Sequence, residues 1–395
     1  MLYRKVPKTA DALSILGFGC MRLPQKDGRI DEEAATSQIR YAIDHGVNYI
    51  DTAWPYHGGE SEPFVGRALA GGYRERVKLA TKLPAWLVRD RADMDRFLDA
   101  QLCKLATSKI DYYLVHSLRG ETWDAIAALG VADFLDRAQA GGSIVNAGFS
   151  FHGRREDFKR IVDTYPWKFC QIQYNYLDEE NQAGTEGLKY AASKGLAVIV
   201  MEPLRGGSLA APPPPEIEAL WREAECRRTP AEWALRWVWN HPEVTVTLSG
   251  MNDQSQVEEN LRIAGDARAG ALTAAEIHLI GRVAKKYREI MKAGCTGCGY
   301  CQPCPSGVDI PGAFELFNAY HTFGNQGAGF MYVLRLGGIL TGEPGYASLC
   351  AHCLECLEKC PQDLPIPDLL ELVAAQFEGA GLSDREAAAR RMFGG

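Results

Sequence analysis

The chain is predicted to be an α/β protein, a (β/α)8 TIM barrel followed by a smaller, mainly helical, cysteine-rich C-terminal domain. Three observations carry this prediction: eight short strand-like runs, longer amphipathic stretches between them, and an abrupt change of composition near Met291. With 395 residues, 46% of them hydrophobic and 24% charged, the chain is long enough for two cores. The barrel is assigned to residues 1–291 and the second domain to 292–395.

The strand-like runs are 14–20, 48–53, 77–83, 111–117, 144–150, 169–175, 196–203 and 244–250, each short and rich in apolar or β-branched residues. Stretches of helical periodicity, such as 31–45, 94–106 and 229–240, separate them. Repeated βα units imply a parallel sheet, and eight of them close into a barrel. An open doubly wound sheet would announce itself by a glycine-rich turn after its first strand, and Gly17-Phe18-Gly19 is too sparse for that. The proline run 212–215 should be an extended, exposed loop stiffener. After Lys292 the βα rhythm stops. Short helices are expected at 314–323, 331–336 and 366–377, with no strand between the two groups of cysteines.

A net charge of -7 and a pI near 5.7 exclude nucleic acid or an anionic membrane as the main partner, since both require a basic face. Residues 1–10 lack an apolar run of signal-peptide length, and no uncharged stretch reaches the length of a membrane span. The expected location is cytoplasmic. Of the twelve cysteines, Cys20, Cys103, Cys170 and Cys226 are scattered and read as small apolar residues. The other eight crowd between Cys295 and Cys360, and in a reducing compartment such density points to a metal or cluster site.

Their spacing is informative. The first motif is Cys295-x2-Cys298-x2-Cys301-x2-Cys304-Pro305, and the second is Cys350-x2-Cys353-x2-Cys356-x3-Cys360-Pro361. Three cysteines at this spacing wrap three corners of an iron-sulfur cube, while the cysteine before proline reaches the other cluster. One [4Fe-4S] cluster then takes Cys295, Cys298, Cys301 and Cys360, and the other takes Cys350, Cys353, Cys356 and Cys304. The first motif is one residue shorter before its last cysteine. Structural zinc is the competing occupant, although a triplet followed by Cys-Pro, occurring twice, is not the usual zinc pattern. The helices expected around the motifs favour a helical ferredoxin-type module.

In a barrel the reactive groups sit where strands end at the C-terminal face. Asp51, Lys82 and His116 end the second, third and fourth runs, and Tyr56 lies five residues beyond Asp51. A phenol with a pKa near 10 holds its proton at neutral pH. An ammonium beside it, positioned by a carboxylate, should lower that pKa and make the tyrosine a proton donor for carbonyl reduction. His116 would orient the substrate oxygen.

Asp51-Thr-Ala with Tyr56, then Ser61-Glu62, Ala80-Thr-Lys82 and Val115-His116, resemble the tetrad motifs of the aldo-keto reductases, over roughly 13–292. The resemblance implies reversible hydride transfer between NAD(P)H and a carbonyl or alcohol, with Tyr56 as general acid/base, Asp51 and Lys82 as its tuners and His116 as orienter. Trp54 and Trp86 become candidate pocket walls. It also implies that Ser150 and Gln171 hold the carboxamide, that Pro203, Leu204 and Gly207 carry the pyrophosphate, and that Ser249, Gly250, Gln256 and Asn260 meet the adenosine end. Where the family commonly stacks a tyrosine on nicotinamide, this chain has Met201, and Phe151 follows Ser150 in place of an asparagine. Gly250 and Gln256 replace a lysine and an arginine, so NADP and NAD both stay open.

Two readings of function follow. In the first, the chain is an oxidoreductase acting on a small carbonyl or alcohol, with an iron-sulfur domain that caps the barrel or exchanges electrons with a redox protein such as a ferredoxin or flavoprotein. In the second, it is an electron-transfer protein whose barrel is mainly a nucleotide scaffold or sensor. No specific flavin motif is present. The clusters are open to a structural or a redox-active role.

Overall fold

A computed structural model describes residues 1–323, 325, 327–339 and 342–393. The chain forms two compact units, residues 1–204 with 231–277, and residues 205–230 with those from 278 onward.

The first unit is a closed parallel barrel. Its strands are β1 (Leu16–Gly19), β2 (Tyr49–Asp51), β3 (Lys78–Leu83), β4 (Ile110–Leu118), β5 (Ile144–Phe151), β6 (Phe169–Gln173), β7 (Ala197–Met201) and β8 (Val244–Ser249). Each pairs in parallel with its sequence neighbours, and β8 pairs with β1 to close the ring. Every expected run holds or overlaps one of these strands.

The barrel interior is packed with side chains. Tyr49, Ala80, Tyr112, Leu114, Phe169, Ile199 and Val246 form one buried cluster. Gly17 marks how full this space is, because a Cβ there would stand 2.8 Å from the side chains of Val246 and Leu248. An N-terminal hairpin, Tyr3–Lys5 paired antiparallel with Ala12–Ser14, was absent from the sequence reading. Val6 and Leu13 from this region join the same cluster. Asp11 accepts from the Tyr112 hydroxyl at 2.8 Å and pairs with Lys78 at 2.7 Å, so the hairpin lies at the N-terminal ends of β3 and β4. Open chemistry is left to the opposite ends of the strands.

The second unit is helical. Its helices include Ile310–Phe323, Ala328–Leu336, Ile366–Phe377 and Leu382–Phe393. The first starts earlier than expected because the Asp309 carboxylate accepts from the Gly312 amide at 3.0 Å, an N-terminal cap the periodicity does not reveal. The last was not foreseen. It is rich in alanine, and it buries Ala389 against Val333 and Leu334. Phe314, Tyr332, Val373, Phe377 and Cys360 share the main core of the unit. Arg205, which belongs to this unit, donates to the Gly294 carbonyl at 2.9 Å.

The proline run departs from its expected form. Pro214 is extended but buried, and Pro215 opens the helix Pro215–Trp221, where a missing N–H is tolerated. Among the described residues no helix is long and apolar enough to cross a membrane.

Candidate active site and cysteine clefts

Asp51 is the last residue of β2, Lys82 the penultimate residue of β3, and His116 lies two before the end of β4. The parallel register sets Asp51 beside Ala80 and Lys82 beside Leu114, so these strand ends are neighbours on the barrel rim. The Lys82 ammonium is fully buried and donates to Asp51 Oδ1 at 2.6 Å, to the Thr52 carbonyl at 2.8 Å and to the Tyr56 hydroxyl at 3.3 Å. Three donors thus meet three acceptors. Tyr56 itself sits in a tight turn whose next residue, His57, has φ +52. His57 accepts from the Leu23 amide and contacts the Gln25 amide at 2.9 Å, which ties the tyrosine loop to the segment after β1. The ring of His116 lies 6.3 Å from that of Tyr56 and 5.1 Å from that of Trp86.

Burial governs the electrostatics here. Desolvation raises the Asp51 carboxyl, against the pull of Lys82. The Tyr56 phenol is pushed well above its ordinary value, by burial first and then by the carboxylates of Asp51 and Glu202, with the buried Cys20 thiol between them in weight. The net direction is opposite to the one expected from Lys82 alone, because burial and the two carboxylates outweigh the ammonium. His116 is held neutral by burial, with Lys82 and His152 adding to the effect. Its Nδ1 has no hydrogen-bond partner among the described residues. His152 follows β5 and is driven down to about 4, again chiefly by burial.

Supporting residues that the sequence reading did not single out lie behind the strand ends. Gln101, fully buried in the helix Arg91–Lys104, donates through Nε2 to the Lys82 carbonyl at 3.0 Å and to Glu62 Oε1 at 2.6 Å. Its Oε1 accepts from the Tyr113 hydroxyl of β4 at 2.8 Å. One amide therefore joins the strand of Lys82 to the strand of His116. Glu62 also accepts from Thr81 at 2.7 Å and faces Lys104 at 3.5 Å. The Lys104 ammonium lies 3.5 Å from the ring centroid of Trp54, in the loop that leads to Tyr56. A glutamine in mid-helix carries no sequence signal for such a role, whereas Glu62 was visible through its place after Ser61.

Of the residues expected to meet a nucleotide, the structure joins several. Gln171 and Ser150 are direct cross-strand partners on β6 and β5. Ser150 Oγ accepts from the Ser117 amide at 2.7 Å, and the Gln171 amide nitrogen lies 3.6 Å from the Met201 sulfur. Gln171 Oε1 is buried and has no hydrogen-bond partner among the described residues, which suits it to receive an amide N–H. Pro203 and Leu204 follow β7 directly, after Glu202 at φ +56. Asn260 donates to Ser249 Oγ at 3.1 Å, and Gln256 accepts from the Asn252 amide at 3.1 Å. Gly250 lies under the aliphatic stem of Arg22, whose Cβ would be 3.1 Å from an added Cβ. Gly207 belongs to the second unit, in a turn at φ +102.

Within the second unit the cysteines line two clefts. Cys295, Cys298, Cys301 and Cys360 border one, with Thr296, Phe314 and Gln362. Cys304, Cys350, Cys353 and Cys356 border the other, which Cys301 also touches. Electrostatic coupling divides them the same way: Cys301 is raised by burial and then by Cys298, Cys295 and Cys360, and Cys356 by burial and then by Cys350, Cys353 and Cys304. Among the described residues no three His, Cys, Asp or Glu groups converge as they would on one metal ion. Sulfurs set around two wider clefts suit a multi-iron cube better than a zinc ion.

Comparison with known proteins agrees with both parts. Residues 15–280 match the Aldo/keto reductase family, and residues 294–364 match the 4Fe-4S dicluster domain. L-galactose dehydrogenase of Arabidopsis thaliana is 25% identical over 280 residues, covering 65% of this chain and 86% of that protein. The holo form of aldo-keto reductase AKR11C1 from Bacillus halodurans superposes with a TM-score of 0.61 at 27% identity, covering 72% of this chain and 96% of that one. An aldo/keto reductase from Klebsiella pneumoniae, solved with NADP and acetate, shares the fold at 24% identity and a TM-score of 0.56, over 70% of this chain and 93% of that one.

Proposed function

This chain belongs to the aldo/keto reductase family and joins its barrel to a 4Fe-4S dicluster domain, and from that premise we propose that it reduces a small carbonyl compound, or oxidises the matching alcohol, with NAD(P)H. The observation that carries the reading is the ammonium of Lys82, held between Asp51, the Thr52 carbonyl and the phenol of Tyr56 at the C-terminal ends of the strands. The nicotinamide, when bound, supplies the hydride.

The chain's own groups handle the proton. Tyr56, kept protonated by burial, gives its hydrogen to the carbonyl oxygen as the carbon is reduced. Lys82 directs an N–H at the phenol oxygen and so stabilises the phenolate that remains, while Asp51 fixes the ammonium. Neutral His116 orients the substrate oxygen, with Trp86 beside it and Trp54 in the Tyr56 loop as pocket walls. Gln171 and Ser150 would hold the carboxamide beside Met201. Pro203 and Leu204 would take the pyrophosphate, and Ser249, Gly250, Gln256 and Asn260 the adenosine end.

Residues 1–291 form the reductase domain in this reading and 292–395 the cluster domain, of which 324, 326, 340, 341, 394 and 395 lie outside the described residues. Its cysteines would hold two [4Fe-4S] clusters, one on Cys295, Cys298, Cys301 and Cys360 and one on Cys350, Cys353, Cys356 and Cys304. Such clusters supply one-electron chemistry. The two cysteine-lined clefts favour a second reading, electron transfer to a partner with the barrel as nucleotide scaffold.

Anaerobically purified protein should oxidise NADPH or NADH in the presence of an aromatic aldehyde. Tyr56→Phe should lower turnover by about 10²- to 10⁴-fold while still binding nucleotide. Full activity in that variant would remove the reduction chemistry, and cluster reduction that proceeds only on addition of a flavoprotein or ferredoxin would select the second reading.

A further inference from the structure

The two cysteine clefts differ in their surroundings. Residues 295–308, which carry the first motif, contain no charged residue. Around the second, Glu355 and Lys359 line the cleft, and Glu358, Asp368 and Glu371 lie on the same loop and the helix that follows, whereas Asp363 falls between Gln362 and Leu364 of the first cleft. The loop is also open: residues 351–355 are all exposed, and Cys353 is the one exposed cysteine of the eight. Leu349, Leu354 and Leu372 present large apolar side chains to solvent at 39%, 53% and 55% exposure. His352 meets Glu371 at 3.3 Å, which places the loop beside the turn of helix that carries Leu372. An apolar centre with an acidic rim, next to an exposed thiol ligand, is the complement of a basic protein surface.

We propose that the Cys350, Cys353, Cys356 and Cys304 set is the electron port of the molecule, and that it docks a small one-electron carrier protein whose redox centre is ringed by lysines. The inference rests on the reading that this set holds an iron-sulfur cluster. In the step itself one electron leaves the reduced cluster, which returns to its oxidised level, and the carrier's centre is reduced by one electron. No bond forms or breaks and no proton moves. Leu354 and Leu372 supply the dry contact, and the carboxylates steer the approach.

Cytochrome c, a basic one-electron haem protein, is a direct probe. The full-length, cluster-loaded protein, reduced with dithionite and freed of excess reductant, is mixed with it in a stopped-flow cell. The second-order rate should fall about tenfold as added salt shortens the Debye length from about 30 Å to about 8 Å. Glu355→Lys with Glu371→Lys should slow the reaction about tenfold at low salt and flatten or reverse the salt dependence. Leu372→Ser should slow it at every salt concentration and leave the salt slope unchanged. Iron and acid-labile sulfide are measured in each variant. Rates that ignore salt and all three substitutions in cluster-loaded protein overturn the port, as does equal reactivity with an acidic flavodoxin. Self-association of the protein that Leu372→Ser abolishes would give the patch to a second copy and overturn the port as well. A preparation that holds no iron or sulfide after anaerobic reconstitution overturns the cluster assignment itself, and the port with it.

Discussion

The end of the barrel and the cysteine clefts reach their chemistry by different routes. At the barrel end the backbone does the positioning: Asp51, Lys82 and His116 stand on paired strands, and the ammonium has its three acceptors in place. Of the eight clustered cysteines only Cys356 lies in a helix, Glu355–Lys359, and the others lie on irregular segments. Several residues between them, Gly297, Gly299, His352 and Leu354, have positive φ. The first site is organised by a core that exists without it. The second unit packs its small core against the cysteines themselves, so its order should depend on what they hold.

Removing the metal is the harshest way to break that contrast. Chelation of iron should abolish the cooperative melting of the second unit while the barrel keeps its own transition, which calorimetry and far-UV circular dichroism on one sample can follow. Next in size are the tetrad variants. Tyr56→Phe should lower kcat by about 10²- to 10⁴-fold with little change in stability. Lys82→Met should match that loss and also destabilise the barrel by about 3–5 kcal/mol in denaturant titration, because it strands the buried Asp51 carboxylate. Iron content should not change in either variant.

A smaller effect separates positioning from packing. Gln101→Glu removes both N–H donations and sets a carboxylate against Glu62, so kcat should fall about tenfold and the pH profile should shift. Adding Glu62→Gln to Gln101→Glu restores a donor and acceptor between the two side chains, but not the bond to the Lys82 carbonyl. Stability should recover in the double variant and the pH profile should not.

The mildest probe is pH. His116 and His152 are neutral in the fold with lowered pKa values, so the unfolded chain binds more protons in the acid range. Their contribution is complete above the unfolded value near 6.5 and is lost as pH falls, through about 4 for His152. Barrel stability should therefore drop by up to about 1.4 kcal/mol per pH unit per histidine over that window. His152→Gln should reduce the slope.

What the sequence could and could not announce follows the same division. Eight short apolar or β-branched runs mark the strands because burial on both faces leaves a local signature, and residues at strand ends point to a reactive rim by position alone. The hairpin Tyr3–Lys5 and Ala12–Ser14 lacks such a signature, since its first strand is polar and partly exposed and its place comes from Asp11 bonding Tyr112 and Lys78. The helix Leu382–Phe393 hides in an alanine-rich stretch that buries small surfaces. Gln101 was invisible because its partners come from β3, β4 and Glu62, three distant segments. The direction of the Tyr56 shift is not legible in the motif, because burial is the sum of every neighbour and a motif names only a few.

The central claim is that a hydride passes from nicotinamide to a carbonyl carbon while Tyr56 provides the proton. Nucleotide deuterated at the transferable position, incubated with an aldehyde and the protein, gives the most direct test by mass spectrometry of the alcohol. The account predicts one deuterium on the carbinol carbon with the wild-type chain and almost no alcohol with Tyr56→Phe. Alcohol formed without deuterium, or formed as fast by Tyr56→Phe, would contradict it.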